Sequence, residues 1–138
     1  MNVSIRTVVA ALTGLFLAFV GIIAVEGFSA LVHPLPPDFG ETMEEMCRHV
    51  ERYPQWVLAA VVPMWAGAAM LGTWIAQRIG NVFSAGFVGL LLLSALVLNL
   101  SMLPYPIWFK AANLVAIPAA IVAGMRLSSR RMTLTPAR

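Results

Sequence analysis

Glu26 is the residue whose type and setting most invite chemistry: a carboxylate that follows the uncharged run 7–25. An ionised carboxylate in hydrocarbon is costly enough that such a group faces a bundle interior or water, finds a partner, or takes up a proton. Two amides, Asn99 and Asn113, lie near the ends of later apolar runs at positions expected to share the depth of Glu26, and His33 falls two helical turns beyond it. Trp65 and Gln55, on or just before another run, are placed to wall the same space. Three uses of this constellation are open. It is a structural clasp from Glu26 to Asn99 and Asn113, a site that binds or moves protons, cations or a small molecule, or an interfacial carboxylate that reaches water along its own stem.

A second group, Met43, Met46, Cys47 and His49, clusters in the window 43–49. Thioether and thiolate ligands suit Cu(I). On a helix, however, Met43, Met46 and Cys47 form an apolar face with Val50 and Tyr53, and His49 lies at its margin, so packing is the expected role and metal binding the alternative. Haem ligation by His33 and His49 is disfavoured because both fall outside the apolar runs. No cofactor is expected. The one cysteine excludes an intrachain disulfide. Nothing pairs a nucleophile with a base at a recognisable spacing, so enzymatic activity is not expected. Asn99-Leu100-Ser101 matches a glycosylation sequon, but its closeness to hydrocarbon argues against modification.

The elements that must position these residues are membrane spans. Four nearly uncharged stretches, about 7–32, 56–76, 82–102 and 110–127, each approach the ~20 residues a helix needs to cross the hydrocarbon core. The composition agrees, with 60% hydrophobic and only 11% charged residues, fewer charges than a soluble domain of this size carries. The fold class expected is therefore an all-α membrane protein, a single four-helix domain over 1–138 that ends in a basic tail, 128–138. The net charge of +3 does not indicate nucleic acid, because the basic residues flank helices instead of forming a stripe.

Those basic residues set an orientation. Arg6 precedes the first run, Arg78 lies between the second and third, and Arg126, Arg130, Arg131 and Arg138 follow the fourth. Short cytoplasmic segments are enriched in Lys and Arg, which places both termini in the cytoplasm and the 33–55 loop, with five of the six acidic residues, outside. The run after Arg6 is longer than the apolar core of a signal peptide, and Glu26-Gly27-Phe28 is a poor cleavage site, so a retained helix is expected.

His33-Pro34-Leu35-Pro36-Pro37 ends the first span, since proline disfavours helix at itself and at the residue before it. Thr42 with Glu45 three residues on is a capping-box pattern, opening a short amphipathic helix expected to end at Pro54 and to lie on the outer membrane surface or on the bundle. Small residues recur every four positions as Ala68, Gly72 and Ala76, and as Ala112, Ala116, Ala120 and Gly124. Such stripes let helices approach closely, within one chain or between copies or partner proteins. Pro63 and Pro118 are expected to bend their helices. Tyr53, Trp56, Tyr105, Trp108 and Phe109 are expected to form an interfacial aromatic belt. No internal repeat supports an inverted-repeat transporter.

The late glutamate of the first span, the proline-rich turn, and Asn99-Leu100 followed by Pro104-Tyr105-Pro106-Ile107-Trp108-Phe109 together resemble small uncharacterised four-helix bacterial membrane proteins. That group carries a histidine four residues after the glutamate; here Ala30 stands there and His33 comes three residues later. The resemblance implies a bacterial inner (plasma) membrane location and supplies no activity. Two function classes remain: a structural or accessory bundle, assembling with itself or a partner, and a small transporter or channel subunit that uses Glu26 as an intramembrane site.

Overall fold

The computed structural model describes residues 2–132, with side chains described from Ser4 to Ser129 and at Asn2. It is all-helical: α1 Val3–Val32, α2 Met43–Glu51, α3 Gln55–Ile79, α4 Val82–Met102 and α5 Ile107–Met132. Four of these are long and apolar enough to span a membrane, over Ser4–Val32, Gln55–Ile79, Val82–Met102 and Ile107–Ser129. Large side chains such as Phe16, Phe19, Phe83 and Val115 are more than half exposed around them. In water that surface would be untenable; in lipid it is ordinary. Of the expected basic tail, Ser128 and Ser129 continue α5, while 133–138 and the side chains of Arg130 and Arg131 lie outside the described residues.

Each boundary has a local cause. α1 stops at His33, which precedes Pro34 and turns to an extended φ of −138°. Thr42 opens α2 by accepting from the Glu45 backbone N–H while the Glu45 side chain returns to the Thr42 N–H, a closed capping box. Gly80 ends α3, and Asn81 starts α4 with a second box shared with Ser84. α4 ends where Leu103 meets Pro104. Pro63 and Pro118 sit inside helices that continue past them, each removing one rung of the backbone ladder.

α3 is the hub: it packs against α1, α4 and α5, whereas among the described residues α1 and α5 do not pack on each other. The α1–α3 seam is very close. A Cβ added at Gly14 would sit 2.7 Å from the Cβ of Ala76, and one at Gly72 would sit 2.7 Å from the Gly14 carbonyl oxygen and 2.8 Å from the Cβ of Ala18. Gly21 meets Ala68 in the same way. The Ala68/Gly72/Ala76 stripe thus packs inside the chain, against small residues of α1. On the far side Gly124 sits against the α3 backbone at Met70 and Trp74, while Ala112, Ala116 and Ala120 are only half-buried.

Polar groups pin the end of the bundle that carries Arg6, Arg78 and Arg126. The Arg6 Nε donates to the Ile79 carbonyl at 2.6 Å, placing a cation at the negative end of α3. Asn81 Nδ2 donates to Thr7 Oγ1 at 2.9 Å, and Gln77 Nε2 to Ser129 Oγ at 2.6 Å, so α3, α4, α1 and α5 are tied where they turn. Arg78 lies over the Trp74 ring at 5.7 Å.

Candidate functional site

At the other end the packing opens. Glu26 of α1, Trp65 and Ala69 of α3, and Leu92, Ala95 and Asn99 of α4 line a cavity of about 180 Å³, closed at the back by Ile117 of α5. The spacing explains the wall: Leu92, Ala95, Leu96 and Asn99 fall at i, i+3, i+4 and i+7 on one face of α4, and Trp65 and Ala69 are one turn apart on α3. Ala69 and Ala95 supply the empty volume by being small. Glu26 and Ala95 are exposed, so the cavity opens sideways between α1 and α4, through the surface that would face lipid.

Its lining is unusual in polarity. The Nε1 of Trp65 and the Oδ1 of Asn99 are buried with no hydrogen-bond partner. The Glu26 carboxylate influences Trp65 Nε1 but does not meet it in good hydrogen-bonding geometry. One donor and two acceptors therefore border a space with room for several waters or one small molecule. A buried orphan polar atom costs about 1–3 kcal/mol, so two in one wall form a stabilisation that an occupant would recover.

Beyond the cavity the polar groups continue towards α2. Two tyrosines, Tyr53 and Tyr105, lie within electrostatic reach of Glu26. Burial pushes both phenols above their ordinary value and the Glu26 charge adds to the shift. The Tyr53 hydroxyl also hydrogen-bonds the side chain of Ser29, a buried residue one turn past Glu26. Tyr53 packs at 4.6 Å from the His33 ring and 5.3 Å from the His49 ring.

The expected constellation is thus divided. Glu26, Trp65 and Asn99 meet at one cavity. Asn113 is fully buried but turns to its own helix, donating from Nδ2 to the Phe109 carbonyl at 2.9 Å and leaving Oδ1 unpartnered. His33 faces away from the cavity and stacks on His49 at 4.3 Å. Gln55 accepts from Trp108 Nε1 at 2.8 Å, at the surface. Of the aromatic belt, Trp56 and Trp108 are exposed as a belt requires, but Phe109 is fully buried, enclosed by Trp65, Tyr105 and Trp108. None of Met43, Met46 and Cys47 lines the cleft that His49 lines, and among the described residues no three His, Cys, Asp or Glu side chains gather as a metal site would need.

Residue-type reasoning missed the His33–His49–Tyr53 cluster and the part played by Tyr105. A signal was present: two histidines flanking a proline turn, the second inside a helix whose Arg48 and Arg52 are four residues apart. No family model matches this chain, and no curated protein or solved structure is significantly similar to it.

Proposed function

We propose that this four-helix membrane protein binds a small ligand or cation in the cavity between α1 and α4, with Glu26 as its anchor. The observation that supports this is the set of polar groups, the Glu26 carboxylate with the unpartnered Asn99 Oδ1 and Trp65 Nε1, around a space open to the apolar surface. Two acceptors and a donor complement a hydroxyl or an amine head on an apolar body, and the carboxylate favours a cationic head over a neutral one. The bundle beneath is closed by Ala76, Ala85 and Val88, all fully buried, which favours a binding pocket over a pore within a single chain. A transporter or channel role would require a second copy or a partner, and the half-buried Ala112/Ala116/Ala120 face of α5 is the surface for it.

The setting is a bacterial inner membrane, with both termini cytoplasmic and α2 on the outer surface. Charge supports it: Arg6, Arg78 and Arg126 gather at one end and the acidic loop at the other. A reporter active only outside the cytoplasm works when inserted near Gly40 under this orientation and fails if it is reversed.

In liposomes, the infrared carboxyl band of Glu26 should respond to a membrane-permeant alkylamine such as hexylamine, and Glu26→Gln should remove the response while leaving the protein folded. An amide keeps the shape but cannot supply the charge. If protons, sodium, potassium and hexylamine all leave the band unchanged, the site reading fails. An accessory role in assembly is the second reading, and the partly open α5 face favours it. It would show as loss of a native complex when Ala116 is enlarged to leucine.

A further inference from the structure

The cleft at the α2 end is a second built site, and its argument does not depend on the intramembrane cavity. It encloses about 290 Å³ between the proline turn and α2, near the smaller end of small-molecule sites. Four of its wall residues are His33, Arg48, His49 and Arg52, with Asp38 and Glu45 as the acidic members. We propose that this cleft binds a phosphate group, carried by a lipid headgroup or as the free anion, with the Arg48 and Arg52 guanidinium groups and the His49 imidazole as donors.

The charges facing the cleft are unequally committed. Glu45 is engaged: its Oε2 accepts from the Gly40 N–H at 2.8 Å, the Thr42 N–H at 3.4 Å and the Thr42 hydroxyl at 3.1 Å, and Arg48 lies within its electrostatic reach. Asp38 is exposed on the proline turn. Among the described residues neither guanidinium forms an ion pair, although Arg48 and Arg52 are one turn apart on the same helix. Paired guanidinium groups with a nearby imidazole N–H are donors of the kind that phosphate oxygens accept from.

The histidines sharpen the choice of ligand. His33 Nε2 lies 3.3 Å from the His49 carbonyl, which only accepts, so Nε2 carries the proton and is closed to a metal. The rings stack at 21°, so their in-plane lone pairs run side by side instead of converging on one ion. His49 is 8% exposed, and its ring nitrogens have no protein partner among the described residues. Burial first, then the neighbouring His33 and Arg52, hold its pKa below the ordinary imidazole value. A phosphate in the cleft would offset that crowding of cations and let His49 take up a proton on binding. The charged and titratable groups that face His49 here are His33 from the end of α1, Asp38 from the turn, Tyr53 before α3, and Glu45, Arg48 and Arg52 from α2 and its cap.

The test uses the full chain in maltoside micelles, which contain no phosphate, and follows the His49 side-chain resonances by NMR. One arm adds inorganic phosphate against chloride at equal ionic strength; the other adds dihexanoyl phosphatidylglycerol, whose single negative charge does not change between pH 6 and 8. A saturable shift of His49 in either arm supports the proposal, and the arm that saturates at lower concentration identifies the source. In the lipid arm, binding should be about tenfold tighter at pH 6 than at pH 8. The R48Q/R52Q double variant, altered only at exposed side chains, should lose the saturable shift with its helical spectrum unchanged. No saturable shift in either arm, or an equal shift in the double variant, would overturn it.

Discussion

The two ends of this bundle solve opposite problems with the same helices. At the Arg6 end, α1, α3 and α4 meet through Gly14, Gly72, Ala76 and Ala85, and the polar atoms of Thr7, Asn81 and Ser84 are paired across helices or to the backbone, while Gln77 Oε1 and Ser128 Oγ are buried without a partner. At the α2 end the same helices separate around Glu26, and Trp65, Asn99 and Asn113 each keep a buried polar atom without a partner. Close packing is what a membrane bundle needs for stability, because no water is present to drive apolar burial. Departures from it mark the region where stability has been subordinated to something else. Orphan polar atoms occur at both ends, so what separates site from scaffold is the cavity that Trp65 and Asn99 border, not the orphans themselves.

The sharpest way to break the comparison is to disrupt the close seam. Gly72→Leu puts a side chain where even a Cβ would lie 2.7 Å from the Gly14 carbonyl, and backbone cannot yield as a flexible side chain does. The cost should exceed the roughly 1–3 kcal/mol of ordinary overpacking, and the variant should fail to give a monodisperse peak in detergent. Gly67→Leu, on the same helix, is the control, since a Cβ at Gly67 meets nothing within 4 Å. If both variants purify alike, the α1–α3 seam does not hold the bundle.

A smaller effect is expected at α2, whose anchoring rests on a few side chains. Val50 is 4% exposed, so Val50→Asp buries a charge without a partner and should cost about 3 kcal/mol, while Glu44→Ala, on the exposed face, should stay within about 0.5 kcal/mol. Acid should act in the direction of Val50→Asp. The folded pKa of His49 is depressed, so its contribution to docking is fully present above the ordinary value of 6.5 and fades as pH falls through 6.5 towards the lowered one. Hydrogen exchange across 43–51 at pH 7.5 and pH 5 reads this directly. Equal protection at both pH values, with equal effects of the two substitutions, would mean that α2 is not docked through this face.

How far the sequence led differs between the same two regions. The spanning runs were legible because hydrocarbon imposes length and apolarity on any helix that crosses it, and Ala68, Gly72 and Ala76 announced a close seam. Their partners Gly14, Ala18 and Gly21 were visible in α1 but carried no distinguishing mark inside so apolar a run. Glu26, Trp65 and Asn99 were found by polarity alone. Asn113 was expected at the depth of Glu26, and depth along a helix is readable from sequence, while azimuth depends on neighbours: Asn113 bonds to the backbone of its own helix and does not line the cavity. His33 was placed near Glu26 on the condition that α1 persists that far; the helix ends at Val32, and the His33 ring stacks on that of His49. Phe109 was assigned to the belt by position, and only the folded chain shows Trp65 and Tyr105 closing over it.

The smallest expected change in stability is the one that most sharpens the contrast. Glu26 makes no hydrogen bond of good geometry among the described residues, and Trp65 Nε1 and Asn99 Oδ1 are unpartnered already. Removing the carboxylate therefore orphans nothing new. Glu26→Leu should leave the detergent melting temperature unchanged or raise it, because a leucine at an exposed position of α1 suits lipid better than a carboxylate does. Were Glu26 a clasp to Asn99 and Asn113, the same variant would lower stability by about 1–3 kcal/mol, the cost of leaving a buried amide unpaired. A double-mutant cycle of Glu26→Leu with Asn99→Leu distinguishes the two, since a clasp gives a coupling energy and two independent wall residues do not. A coupling near zero, together with loss of the alkylamine response in Glu26→Leu, would identify Glu26 as a group kept for what it binds and not for what it holds together.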